Sequence, residues 1–202
     1  MSLPDKETAL MQYALELGVS DVRITDVAKI PIDNQFAQYC REPGCPSFNR
    51  SKSCPPHVMG PDRFREFIKG FDRILVFKFD IPWSVLLSND RIEVNRVVHE
   101  TAANLEIHAL ANGFEKAVGY AGGGCKDLFC DHHPECRVLS GDGVCRHPSQ
   151  SRESMSGMGV DFTRLAKIVG WDFSQSPNPK DSSTGLMAGS VLLRSSKIRL
   201  TH

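Results

Sequence analysis

The stretch from residue 122 to residue 159 constrains this chain more than any other feature of its sequence. It is rich in Gly, Cys, His, Pro and Ser, and no helical or extended period runs through it. Segments of this length without secondary structure are uncommon in compact domains unless function or a bound group orders them. Because the stretch carries Cys125, Cys130, Cys136 and Cys145, we expect it to fold around something that thiols bind.

A second group of cysteines lies nearer the N-terminus, at Cys40, Cys45 and Cys54, and Pro55-Pro56 follows it directly. Neither group sits on an apolar stripe, where a buried free cysteine normally packs as a small hydrophobe. The total of seven cysteines is odd, which fits complete pairing into intramolecular disulfides poorly. Clustered thiols in a reducing compartment indicate metal or redox chemistry.

The spacing of the cysteines favours an iron–sulfur cluster of the 4Fe–4S type. Such clusters need several thiolates that converge on one point, and short loops let the chain wrap around them. Gly122, Gly123 and Gly124, just before Cys125, are candidates to let backbone N–H groups approach the cluster. The four later cysteines complete one cluster. The three earlier ones supply a second cluster only with a fourth ligand, for which His57 is a candidate, or with one iron left open.

Two alternatives stay open at this stage. Zinc is bound by the same ligands, and ligand softness does not separate it from iron, although neither group has the tight Cys-x2-Cys hook usual in structural zinc sites. The other alternative is that the run from Gly122 to Gly124 cradles a phosphate, such as that of a flavin, but no P-loop or dinucleotide fingerprint surrounds it.

Other polar residues near the later cysteines are weaker candidates. His132 and His133 are either metal ligands or tuning groups, or else solvated loop residues. His147 is close enough in sequence to Cys145 to support a ligand through a hydrogen bond. Three arginines flank the loop and are candidates to compensate a negatively charged cluster or to bind an acidic partner: Arg137, Arg146 and Arg152.

Hydrophobic periodicity outside the loops predicts alternating helices and strands. Helical patterns cover residues 5–17, 61–69, 90–112 and 161–169, and extended patterns cover residues 22–27, 74–79, 116–120 and 186–193. This alternation predicts a single α/β or α+β domain whose mixed sheet is flanked by helices and a long cysteine-rich loop region. Residues 1–173 would form the metal-binding part, and residues 174–202 a loop and the last strand of the same domain. The strand order does not follow from the pattern.

The charge balance limits the classes of partner. Lys+Arg and Asp+Glu both number 24, so no global field favours nucleic acid or an anionic membrane. The polar N-terminus lacks the features of a secretory signal, and the apolar runs are too short to span a bilayer. We therefore expect a cytoplasmic protein whose partner is a redox protein or a small-molecule substrate, with no nucleic acid and no membrane.

At these same residues the sequence resembles the DUF2284 family of predicted metal-binding proteins. Its members pair a Cys…Cys-x2-Tyr-Gly…Cys-Pro-Pro motif with a later cysteine cluster that runs into Cys-Arg-x-Pro…Arg-Pro-Ser-Met-Glu-Ala-x-Gly-Ile-Asp. The resemblance covers roughly residues 10–172 and implies metal binding without naming a reaction. The matching pieces are Cys45-Pro46-Ser47-Phe48-Asn49, Ser53-Cys54-Pro55-Pro56, Gly124-Cys125, Cys145-Arg146-His147-Pro148 and the segment from Arg152 to Asp161.

The chain departs from the family motif at three places. This chain has Phe48-Asn49 where the motif has Tyr-Gly, Glu153 where the motif has its proline, and Ser156 where the motif has its glutamate. No role of that glutamate is therefore carried over to this chain.

Three functional hypotheses follow from the sequence. The first is a redox protein that passes electrons from one or two clusters to a partner or a substrate. The second is an enzyme whose three-cysteine group leaves an iron open to substrate. The third is an interaction module stabilised by zinc.

Overall fold

The computed structural model describes residues 5–41, 43–141, 143–171 and 184–195. Within these ranges the chain forms a five-stranded mixed sheet and six α-helices, which confirms the predicted α/β class. The helices are α1 (Lys6–Glu16), α2 (Gly60–Ile68), α3 (Trp83–Leu86), α4 (Arg91–Ala111), α5 (Lys126–Phe129) and α6 (Phe162–Ile168). The strands are β1 (Asp21–Asp26), β2 (Arg73–Pro82), β3 (Phe114–Ala121), β4 (Glu153–Ser154) and β5 (Thr184–Ser195).

The last strand along the chain lies in the middle of the sheet. The strand order is β1-β2-β5-β3-β4, with β5 antiparallel to both β2 and β3 and with β4 parallel to β3. Leu75 of β2 pairs with Val191 of β5, and Val118 of β3 pairs with Leu192. The loop predicted over residues 174–184 lies outside the described residues except for Thr184, which begins β5.

Helix ends follow the capping residues that the sequence offers. Asp5 caps α1 by accepting a hydrogen bond from the Thr8 N–H at 2.9 Å, and Asp161 caps α6 through the Arg164 N–H at 3.0 Å. Gly113 follows α4 with a φ of 86°, a conformation that favours glycine. These boundaries agree with the predicted ones to within a few residues.

Helices cover both faces of the sheet, and β2 shows this most clearly. Ile74 and Val76 point into a core formed with α2 and α6, whereas Leu75 and Phe77 point into a core formed with α1 and α4. All four side chains are at most 2% exposed. Burying each contributes about 1.5–3 kcal/mol. A strand buried on both faces reads as a continuous apolar run, which is why the sequence predicts it as central.

The cysteine segments gather where β3 and β4 end. The Ser154 N–H donates to the Ser53 carbonyl at 2.9 Å, and the Met155 N–H donates to the Ala121 carbonyl at 3.3 Å. These bonds bring the first cysteine segment beside the start of the second. The stretch from 122 to 159 is not wholly irregular, because it contains α5, β4 and a 3-10 turn at Ser156–Met158. Among the described helices, none is both long enough and apolar enough to cross a bilayer.

Candidate metal centre

Four of the seven cysteines line one small cavity. Cys125, Cys130, Cys136 and Cys145 all border a space of about 20 Å³, and each is a free, partly buried thiol. The structure therefore brings together the four cysteines that the sequence grouped between residues 125 and 145. The remaining residues around this cavity are Ser51, Lys126, Arg137, Val138 and Arg146.

Short local structures hold these cysteines in place. Cys125 and Cys130 flank the one-turn helix α5 as its first and last caps. Cys136 opens a turn, in which its carbonyl accepts from the Leu139 N–H at 2.9 Å. Cys145 is fixed through its sulfur, which lies 3.4 Å from the backbone nitrogen of His147 and 3.6 Å from the hydroxyl of Ser151.

The four thiols line one cavity but do not form a ready-made site for a single metal ion. Among the described residues, no three His, Cys, Asp or Glu side chains stand close enough together to hold one metal ion. A tetrahedral zinc site, with Zn–S distances of about 2.3 Å, needs sulfurs only about 3.8 Å apart.

A larger cavity borders three of the same thiols. It has a volume of about 290 Å³, and Cys125, Cys136 and Cys145 form part of its wall. Its ionisable residues are Lys52, Glu106, Arg152 and Glu153, and its apolar part includes Val118, Tyr120, Val138 and Pro148. Space for a small molecule thus exists directly beside the thiols.

The first cysteine group adjoins the second through Cys54. A Cβ added at Gly124 would lie only 3.1 Å from the Cys54 sulfur and 2.7 Å from the Cβ and Oγ atoms of Ser47. Cys54 is 4% exposed. The structure places Gly124 where the two segments touch, so its missing side chain allows them to pack together.

Burial raises the pKa of most of these thiols. It raises the pKa of Cys54 to about 11, against hydrogen bonds from Ser51 and Ser53 that lower it. It raises the pKa of Cys125 and Cys130 as well, and neighbouring thiols add to the effect. These thiols therefore keep their protons at neutral pH until a metal cation displaces them.

The pKa of the Cys136 thiol shifts in the opposite direction. Burial alone would raise its pKa, but hydrogen bonds from the backbone N–H groups of Lys52, Leu139 and Val138 outweigh that effect and lower the pKa. Donors of this kind stabilise a thiolate. Backbone N–H donors of this kind also tune the reduction potentials of iron–sulfur proteins in general.

The ring of His57 contacts Asn49, and its backbone N–H donates to the Cys54 carbonyl at 3.0 Å. Its Nε2 atom lies 2.8 Å from the side-chain oxygen of Asn49, and the residue is exposed. It borders a third cavity with Cys136 and is absent from the walls of both cavities that Cys125 lines. Its proposed role as fourth ligand stays a prediction.

The remaining histidines near the cysteines differ in their surroundings. His132 is 92% exposed and lies 3.5 Å from Asp131, and His133 is exposed too. His147 packs its ring on Phe129 at 5.6 Å, and its Nδ1 atom lies 3.1 Å from the Gln150 side-chain oxygen. The backbone of His147, rather than its ring, contacts the Cys145 sulfur.

The three flanking arginines divide into two sets. Arg137 and Arg146 line the four-cysteine cavity. Arg152 is instead buried in an ion pair with Glu106 of α4, with a nitrogen–oxygen distance of 3.0 Å. Lys126 also lines the cavity. Its role is not predictable from the sequence, because a lysine beside a cysteine in a loop has no distinguishing pattern until its burial is known.

A mixed α/β domain with four thiols around one cavity belongs to the class of candidate metal-binding proteins. The family model described as predicted metal-binding protein, DUF2284, matches residues 23–193. The chain therefore belongs to the DUF2284 family, as the motifs predicted. No curated protein and no solved structure matches it.

Proposed function

We propose that the protein binds one iron–sulfur cluster of the 4Fe–4S type through Cys125, Cys130, Cys136 and Cys145. The observation that carries this proposal is the shared cavity lined by all four thiols. Four cysteine thiolates are the usual ligand set of such a cluster. The bound cluster would supply one-electron chemistry, and its role would be to pass electrons to a partner protein or a small molecule.

The surroundings of the thiols support iron–sulfur over zinc. The His147 N–H donates to the Cys145 sulfur at 3.4 Å. Backbone N–H groups, that of Lys52 foremost, lower the pKa of the Cys136 thiol. Cluster potentials depend on such donors and on burial, whereas a structural zinc site mainly needs a tight tetrahedron of ligands.

Anaerobic metal analysis tests the proposal. Protein purified without oxygen from metal-balanced growth should contain about four irons and four acid-labile sulfides per chain. A second cluster on Cys40, Cys45 and Cys54 would double both values. Zinc at one or two equivalents without sulfide would contradict the proposal and favour the zinc-stabilised interaction module.

Cysteine variants assign the ligands in the same assay. Cys136→Ser should lose most of the iron and sulfide, because it removes one of the four thiolates that line the cavity. Cys40→Ser is the matched control in the first group and should retain them. Where wild type holds a single cluster, equal loss in both variants would contradict the assignment to the later four cysteines.

A second candidate function is enzymatic, and the larger cavity favours it. Burial raises the pKa of Glu153 there, opposed by the nearby Lys52, and Tyr120 is its neighbour across the β3–β4 pair. A raised pKa brings a carboxyl group closer to the range in which it exchanges protons with a substrate. Thermal stabilisation of the loaded protein by a panel of small carboxylic acids, and its loss in Glu153→Gln, would support a substrate site.

A further inference from the structure

Lys126 is a buried cation in the wall of the four-cysteine cavity. The residue is only 5% exposed, and its ammonium donates to the Cys130 carbonyl at 2.6 Å. No carboxylate in the described ranges forms an ion pair with it. Its acidic neighbour Asp127 is engaged elsewhere, with Arg50 at 2.9 Å.

A buried ammonium without an anion is costly. Moving a charge out of water carries a penalty of several kcal/mol unless an opposite charge or a full set of hydrogen bonds offsets it. A peptide carbonyl is one acceptor and needs only a neutral donor. The carbonyl of Cys130 therefore explains the hydrogen bond but not the positive charge.

The rest of the cavity points to where the missing anion would be. Arg137 and Arg146 line the same cavity, so three cationic residues surround four thiols. Four thiolates around a cluster carry a net negative charge, and so do four thiolates around a zinc ion. The described cavity wall itself contains no Asp or Glu.

We propose that Lys126 is the buried counter-ion of the metal–thiolate centre and that its charge raises the reduction potential of that centre. The inference rests on the proposed cluster. Reduction adds negative charge, so a nearby cation favours the reduced form, and its removal lowers the potential. Lys126 is a positioning and tuning residue in this account, not a ligand.

The test compares two substitutions that separate charge from hydrogen bonding. Lys126→Gln keeps a donor for the Cys130 carbonyl and removes the charge, whereas Lys126→Arg keeps the charge. Both are titrated anaerobically as loaded full-length protein, with the cluster followed by electron paramagnetic resonance. Lys69→Gln is the matched control, because Lys69 is 69% exposed on α2.

We expect the Gln variant to be reduced less readily by about tenfold, which is about 59 mV for a one-electron couple. The Arg variant and the Lys69 control should stay near the wild-type potential. A Gln variant that holds a full cluster at an unchanged potential would overturn the inference. A potential lowered equally in the Arg variant would overturn it too, because the shape of the side chain rather than its charge would then matter.

Metal retention keeps the inference testable if a variant loses its cluster. Loss of iron in Lys126→Gln with retention in Lys126→Arg supports charge compensation, and loss in both contradicts it. The wild-type analysis separates this inference from the proposed function. If wild type holds zinc without sulfide, the cluster proposal fails. The rate at which a chelator removes zinc then tests Lys126 as the counter-ion. Faster release from the Gln variant than from the Arg variant supports that role, and equal release rates overturn it.

Discussion

Gly124 is the residue at which the two cysteine segments come closest. A methyl group there would meet the Ser47 side chain at 2.7 Å and the Cys54 sulfur at 3.1 Å, distances that force neighbouring atoms to move. We predict that Gly124→Ala displaces the adjacent Cys125 and lowers iron content per chain at least severalfold. Overpacking of this kind typically costs about 1–3 kcal/mol, which chemical denaturation would show.

Gly122 provides the control for this substitution. A Cβ at Gly122 would meet only the Ala188 carbonyl oxygen at 3.9 Å, which is an ordinary contact. Gly122→Ala should therefore keep its metal. Equal iron content in the two variants would contradict the packing role of Gly124.

His99 makes a second prediction at the residue scale. Its Nδ1 atom accepts the Arg152 N–H at 3.0 Å. Burial, helped by the charge of Arg152, lowers the pKa of His99 from 6.5 to about 4. The unfolded chain then binds more protons than the folded one between these values, so stability falls as pH drops from about 6.5 to about 4.

The free energy of unfolding should fall by about 3 kcal/mol between pH 6.5 and pH 4. Urea denaturation of the metal-free protein at several pH values measures it. His99→Gln keeps an acceptor for the Arg152 N–H and cannot titrate, so its stability should fall less over the same range. Parallel pH profiles in the two proteins would show that His99 does not carry the effect.

How far the site can be predicted also depends on individual residues. Cys125, Cys130, Cys136 and Cys145 stand out because their loop has no apolar period, and the structure groups them around one cavity. Lys126 does not stand out, because its burial results from α5, a single turn too short to have a recognisable pattern. Three-dimensional proximity, such as that of Gly124 to Cys54, leaves no signal in one sequence.

At the scale of elements, α4 is tied to the cysteine region by a buried ion pair. Glu106 accepts from Arg152 at 3.0 Å, and it also accepts from the Gly119 N–H of β3. We predict that Glu106→Ala destabilises the protein by about 3–5 kcal/mol, because it leaves the Arg152 charge buried without its partner. Chemical denaturation measures the loss.

The double variant and a surface pair serve as controls. Adding Arg152→Met to Glu106→Ala should recover part of the stability, since no unpaired charge then remains. Glu66→Ala, which breaks the exposed pair with Lys69 on α2, should change stability by no more than about 0.5 kcal/mol. If the Glu106 and Glu66 variants lose the same free energy of unfolding, the pair between Glu106 and Arg152 has no special role in stability.

Elements with a strong pattern were predictable, and short ones were not. The apolar stripe of α4 predicts a helix, because many residues share one helical period. The apolar run of β2 predicts a central strand, because both faces of that strand are covered. β4 has two residues and α5 has four, so neither completes a period. Both depend on contacts with residues distant in sequence.

At the scale of the whole molecule, the strand order was beyond the sequence. β5 lies between β2 and β3 and pairs with both of them. Such pairing partners are distant in sequence, and the hydrophobic pattern of a single sequence does not identify them. The mixed sheet was predictable, whereas its order was not.

The sheet cores do not depend on the thiols. Neither hydrophobic cluster of the described chain includes a cysteine. We predict that removing the metal leaves far-ultraviolet circular dichroism nearly unchanged but lets trypsin cut after Arg137 or Arg146. Cleavage needs local opening, and the metal would hold these loops closed. Equal cleavage rates with and without metal would contradict this division between core and site.

Iron-edge X-ray absorption of the anaerobic protein tests most directly whether the thiols of Cys125, Cys130, Cys136 and Cys145 meet at one inorganic centre. We predict iron surrounded by sulfur with further iron atoms in its second shell. Iron bound only by oxygen and nitrogen, or an absorption edge from zinc alone, would contradict a cluster at this cavity.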